Sequence, residues 1–175
     1  MEKGSKLLLD HLALMQDLDN TLPVLDLACG MGRNGLLLAE HGLDVVFADR
    51  SAEALSSIGE QLEKTSLRGR TWQVDLEQPG VNPFGNDMFS AILVFRYLHR
   101  PLFPALRNAV TPGGLVIYET FTTANREFGR PRSEDFLLLP GELKSLFQDW
   151  ETIHEFEGLQ QNPDRQVAQI VARKP

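Results

Sequence analysis

Asp26 is the residue with the most chemical potential in this chain. It sits inside the apolar run Val24 to Leu27, directly ahead of a small-residue turn, Ala28 to Gly32. A second acid, Asp49, closes the next apolar run, and a third, Asp75, closes the one after. Acids at the carboxyl ends of successive parallel strands, around a glycine turn that opens a helix, suit a nucleoside-bearing cofactor. Gly30-x-Gly32-x-x-Gly35 also matches the GxGxxG pattern of nicotinamide dinucleotide sites, although the pattern by itself is not specific. Asp26 argues against that reading, because a carboxylate inside the first strand suits a cationic partner such as an amino-acid ammonium. Asp75 can accept from an adenine amino group. Cys29 stands where the turn needs a small residue and reads as packing, not as a nucleophile.

A second group of candidates follows the fourth and fifth apolar runs, where ligands of open parallel sheets bind. Arg96, Tyr97, His99 and Arg100 leave the fourth; Tyr118 and Glu119 end the fifth. His99 can serve as a base near neutral pH, or as a cap or packing residue ahead of Pro101. Tyr97 and Glu119 are further catalytic candidates. Glu119 either orients a cationic or hydroxyl-bearing substrate or pairs with an arginine of the next loop. Arg33 either faces substrate or ties the glycine turn to the sheet. Residues 120–138 carry Arg126, Arg130 and Arg132 beside Phe128 and Gly129. As a lid, this loop would present guanidinium groups to an anionic substrate. Alternatively, its arginines pair with Glu127, Glu134 and Asp135. No Cys/His cluster has metal-ligand spacing.

The elements that must position these residues alternate. Leu8, Leu12 and Met15 recur with helical spacing over 5–18. A buried strand is predicted over 22–27, a helix from Met31 to His41 stopped by Gly42, and a strand from Val45 to Asp49. Ser51 caps a helix with Ala52, Leu55, Ile58 and Leu62 on one face. Strands follow at Thr71–Val74, Phe89–Phe95 and Leu115–Tyr118, with a helix from Pro101 to about Val110 and a turn at 111–114. Pro140 opens a short helix. Two alternating runs, Trp150–Phe156 and Val167–Arg173, joined around Asn162-Pro163-Asp164, predict a terminal antiparallel pair. The whole is an α/β, doubly wound, Rossmann-like sheet, mostly parallel, in one domain over 1–175. A dinucleotide fold would instead continue with another helix and parallel strand.

The composition bounds the partners. Lys and Arg number 17 against 24 Asp and Glu, for a net charge of −7. That is a poor basis for binding nucleic acid. The single cysteine forbids an internal disulfide and points to a reducing compartment. The chain shows neither a spanning run nor a signal peptide, so a cytoplasmic location without membrane contact is expected.

These residues resemble the class I S-adenosylmethionine-dependent methyltransferases from about residue 22 to the end. Ala28-Cys29-Gly30 followed by Gly32-Arg33-Asn34 is similar to the tellurite-resistance-type branch of small methyltransferases. The run YETFTTANREFGRPRSEDFLLLPGEL, 118–143, is similar to a signature of uncharacterised bacterial members near that branch. The resemblance implies S-adenosylmethionine as cofactor. Asp26 and the backbone of Ala28, Cys29 and Gly30 would hold its amino-acid end, with Gly32 allowing close approach. Asp49, with Arg50 beside it, would take the ribose hydroxyls. Asp75 and the Leu76 backbone N–H would take the adenine, and Phe95 would lie near the sulfonium. Arg33, Arg96, Tyr97, Tyr118, Arg130 and Arg132 remain for a small acceptor. Relatives often place an aromatic and arginine-rich stretch before the first strand, whereas residues 1–20 here contain no Trp, Tyr or Arg. The fourth strand is not followed by an Asn/Asp-Pro-Pro-aromatic motif, which argues against methylation of DNA bases. A nicotinamide-dependent oxidoreductase and a non-enzymatic partner subunit are the rival readings.

Overall fold

The computed structural model describes residues 4–175. Its centre is β1 (Val24–Leu27), buried along its whole length, so Asp26 enters the interior with its apolar neighbours. Around it runs a seven-stranded sheet in the order β3-β2-β1-β4-β5-β7-β6. The strands are β2 (Val45–Asp49), β3 (Gly69–Gln73), β4 (Phe89–Phe95), β5 (Val110–Phe121), β6 (Glu151–Gln160) and β7 (Arg165–Arg173). β1 to β5 pair in parallel, and β7 enters antiparallel to both β5 and β6. The strand order reverses between β1 and β4, which opens the crevice where such sheets bind ligands.

Alternation along the strands divides the core into two layers. Leu93, Leu115 and Ile117 pack under α1 (Lys6–Asp10), α2 (Leu12–Gln16), α3 (Arg33–Glu40) and α4 (Ala52–Thr65). Ile92, Val94, Val116 and Tyr118 pack under α5 (Phe103–Ala109) and α6 (Glu142–Leu146). Asp26, Asp49, Phe95 and Glu119 have the strand parity of the first layer.

Several boundaries differ from the sequence reading. The N-terminal helix breaks into α1 and α2 at His11, whose backbone leaves helical geometry (φ −116°, ψ 15°) and whose ring Nδ1 bonds the Leu7 carbonyl. α3 begins at Arg33, since Gly32 takes φ +74°. Ser51 does cap α4, accepting from the Ala54 N–H at 3.2 Å, but Ala54 rather than Ala52 is buried. β3 starts two residues and ends one residue earlier than predicted, and Asp75 lies past its end with its Oδ1 accepting from the Glu77 N–H at 3.0 Å. The expected turn at 111–114 is a bulge inside β5: Phe89 pairs with Val110, and Ala91 with Leu115. The 120–138 segment is not a featureless loop. β5 continues to Phe121, and 3-10 turns form at Thr123–Glu127 and Glu134–Phe136.

Candidate active site

The glycine turn is held from below by the two acids. Asp26 is 2 % exposed, and its Oδ2 accepts from the Gly35 N–H at 2.9 Å, at the first turn of α3. Burial is the main cause that pushes its carboxyl up to about 7; the Gly35 N–H and Arg33 pull the other way, and Asp49 adds to the rise. Asp49 Oδ2 accepts from the Gly30 N–H at 2.8 Å, and its Oδ1 accepts from the Ser51 N–H at 2.9 Å. One carboxylate therefore fixes both the turn and the start of α4. A Cβ on Gly35 would stand 2.4 Å from Phe47 Cε1 and 2.8 Å from Asp26 Oδ2, so only glycine lets α3 lie this close to the sheet. At Gly30, φ is +53° and a Cβ would meet nothing within 4 Å, which leaves the space above it open.

That space belongs to a cleft of about 250 Å³. Asp26, Ala28, Cys29 and Gly30 form its floor, Met31, Arg33 and Asn34 one side, and Phe95 and Arg96 the other. The Cys29 thiol is pushed up by burial, then by Asp26 and Asp49, and so stays protonated. Arg96 also lines a second pocket of about 280 Å³, with Tyr97, Leu98, Thr120, Phe121, Pro131 and Phe136. Arg96 is common to the linings of both cavities. Its backbone takes φ +57°, a costly conformation for a side-chain-bearing residue, fixed by its N–H donating to the Glu119 carbonyl at 2.8 Å.

The other candidates separate. The Tyr97 hydroxyl is buried and, among the described residues, lies close to the Glu77 carboxylate without making a hydrogen bond of full geometry. Burial, with Glu77 and Asp75 nearby and Arg50 opposing, pushes the phenol up, so this ring faces the exits of β2 and β3. His99 precedes a 3-10 turn at Arg100–Leu102, makes no side-chain cap bond, and lines a different cleft of about 600 Å³ against loop 76–83. Leu76 lines that cleft too. Tyr118 does not face a substrate: it is 2 % exposed, stacks on Phe103, and donates to the Tyr97 carbonyl at 2.7 Å. Its even position on β5 turns it into the α5–α6 layer. Glu119 Oε2 accepts from Gln169 Nε2 at 2.6 Å and Gln160 Nε2 at 3.4 Å. Arg130 and Arg132 are exposed and outside the lining of both cavities, while Pro131 between them lines the second. Arg126 does pair with Glu134, at 3.1 Å. Arg33 lies on the first cleft, not the second. Among the described residues, no group of three His, Cys, Asp or Glu side chains is placed to hold a metal, and no helix is long and apolar enough to cross a membrane.

Sequence reasoning missed Leu98, Phe121, Pro131 and Phe136 as a lining. It also missed the chain from Glu119 through Gln169 to His154, whose Nε2 lies 2.9 Å from Gln169 Oε1. Parity along β5 was the available signal for Phe121, which lies two residues past Glu119. Arg100 proved to be an anchor. It grips Glu142 through Nε at 2.6 Å and a second N–H at 2.9 Å, and donates to the Glu134 and Leu137 carbonyls.

A parallel sheet reversed only by its last inserted strand, with an acid-held glycine turn at its switch point, defines the class I methyltransferase fold. Solved structures share it. The crystal structure of TehB from Haemophilus influenzae superposes with TM-score 0.77 at 23% identity, covering 96% of this chain and 61% of that one. A methyltransferase-fold protein from Methanosarcina mazei gives TM-score 0.70 at 14% identity, over 93% of this chain and 96% of that one. Within this class the chain belongs to the TehB family: the family described as tellurite resistance protein TehB matches residues 15–169. A relative from Haemophilus influenzae, described as a probable S-adenosyl-L-methionine-dependent methyltransferase TehB, is 29% identical over 141 residues. The match covers 78% of this chain and 48% of the relative, so the chain spans about half the length of the curated relatives it matches.

Proposed function

We propose that this chain binds S-adenosylmethionine in the cleft above Gly30 and catalyses methyl transfer to a small acceptor. The observation that carries the reading is the acid-floored cleft at the glycine turn, beside a second, mostly apolar pocket that shares Arg96 in its lining. The residues fit the cofactor. Open space above Gly30 leaves room where a side chain would intrude. Asp26, with the backbone of Ala28, Cys29 and Gly30, is assigned the amino-acid end, and Gly32 the close approach. A bound ammonium would hold Asp26 ionised against the cost of its burial. Asp49 spends one lone pair per oxygen on backbone N–H groups and keeps others for the ribose hydroxyls, with Arg50 alongside. Asp75 and the Leu76 N–H are assigned the adenine, and Phe95 the methyl-bearing end.

The bound sulfonium supplies an activated methyl carbon and a neutral leaving group. The protein's work is therefore alignment and exclusion of water. Segment 122–138 serves as the cover, contributing Pro131 and Phe136 to the acceptor pocket. The small pocket favours a small molecule over a polymer, and a net charge of −7 disfavours nucleic acid. The single cysteine suits a reducing, cytoplasmic setting. Calorimetry with S-adenosylhomocysteine, run beside NADH, tests the reading. We expect binding of the first alone. NADH binding alone overturns the reading, and binding of neither supports a non-enzymatic role.

A further inference from the structure

We propose that the side-chain amide of Asn34 donates, through Nδ2, to the carboxylate at the amino-acid end of the methyl donor, and that the backbone at the start of α1 turns the amide to do so. This rests on the donor reading above and deepens it, since Asp26 there suits the ammonium and no side chain receives the carboxylate. Three observations carry it.

The amide is buried and its orientation is fixed. Asn34 is 5 % exposed, yet it lines the donor cleft beside Met31 and Arg33. Its Oδ1 accepts from the Ser5 N–H at 2.8 Å in a buried bond. A backbone N–H can meet only the oxygen end of an amide, so Nδ2 and its two protons are the end left for another partner. Among the described residues no acceptor bonds Nδ2, and the atom keeps some accessible surface.

The Ser5 contact is held from behind. Ser5 is itself buried, and its Oγ caps α1 by accepting from the Leu8 N–H at 3.4 Å. Leu7, Leu8 and Met15 pack in the same layer as Leu36 and Leu38 of α3. Gly4 lies so near α3 that a Cβ there would stand 2.5 Å from Leu37 Cδ2. Residues 5–18 bring no Trp, Tyr or Arg to the cleft. Their contribution passes through the Asn34 amide.

The charges suit the two ends of an amino acid. Its ammonium and carboxylate share one carbon, so the groups that receive them must be neighbours. Asp26 Oδ2 bonds the N–H of Gly35, the residue directly after Asn34. Asn34 is also the second residue of α3, whose positive end borders the cleft and favours an anion. A neutral amide adds a hydrogen bond there without burying another charge.

The test is calorimetry of the full chain with S-adenosylhomocysteine and with its decarboxylated analogue, which keeps the amine, the thioether and the adenosine. The parent should prefer S-adenosylhomocysteine. Asn34→Asp keeps an oxygen for the Ser5 N–H but loses the donor, and Asn34→Ala loses both. Each should cut the preference by roughly tenfold or more, the size of a hydrogen bond to a charged group. A merely structural Asn34 would weaken both ligands alike, so a preference retained in Asn34→Ala overturns the proposal. In the 15N-labelled parent, the Asn34 side-chain amide signals should shift further with S-adenosylhomocysteine than with the analogue. Signals indifferent to the carboxylate overturn the proposal even if neither variant folds. So does a parent that binds both ligands equally, an outcome that leaves the donor reading standing. A parent that binds neither overturns that reading itself.

Discussion

Asp26→Asn should make the protein more stable and the donor site weaker, and the size of the gain should depend on pH. The buried carboxyl titrates at about 7 instead of 3.8, so the folded state resists ionising a group that the unfolded chain ionises freely. The raised value favours folding fully below 3.8, and that contribution is lost as pH rises to about 7. Each unit is worth about 1.4 kcal/mol. The accumulated penalty is then about 2 kcal/mol at pH 5 and about 4 kcal/mol above pH 8. Asparagine avoids it, and its side-chain oxygen can still accept from the Gly35 N–H. Urea denaturation of both proteins without cofactor at pH 5 and 8.5 should show the variant ahead at both, with its lead growing by about 2–3 kcal/mol. Calorimetry of the same samples should show weaker binding of S-adenosylhomocysteine. A variant that is no more stable than the parent at pH 8.5 refutes the reasoning, because burial would then carry no charge penalty.

Four further outcomes are expected. Gly35→Ala should cost about 1–3 kcal/mol by driving a methyl into Phe47 and Asp26. Gly59→Ala, in α4 with nothing within 4 Å, should gain about 0.5–1 kcal/mol; urea midpoints decide both. Arg100→Ala removes the paired bonds to Glu142 and two carbonyl contacts, so hydrogen exchange across 134–142 should quicken while the core stays protected. Replacing Arg130 and Arg132 together by Ala should lower turnover less than Phe136→Ala does and leave donor affinity intact; equal loss of both defeats the cover assigned to this segment.

The sheet was legible because buried parallel strands announce themselves as apolar runs: β2 and β4 fall where the sequence placed them, and β1 starts two residues later within its run. β3 was legible with shifted bounds, since three of its five residues are exposed and its ends carry little apolar signal. The bulge in β5 hid because Pro112 and two glycines read as a turn, yet the strand resumes pairing beyond them. Asp26, Asp49 and the glycines were legible because backbone geometry dictates their types. Tyr118 was misread because residue type was weighed ahead of strand parity. The second pocket was illegible for a different reason. Its walls come from residues 96–98 just past β4, the end of β5, Pro131 and Phe136, mostly ordinary apolar residues that only the tertiary fold brings together.

The acids beneath the glycine turn carry a consequence for descent. Asp49 commits both oxygens to backbone N–H groups, one in the turn and one at the start of α4, so the scaffold needs it whether or not a methyl donor binds. A lineage that abandoned the cofactor would keep Asp49 and could exchange the buried charge of Asp26 for an amide. Gly30 would drift first: its neighbour Ala28 shows that this turn admits a side chain at φ +52°, and no protein atom lies near enough to object at Gly30. Glycine retained at that one position marks descendants still under selection for a ligand.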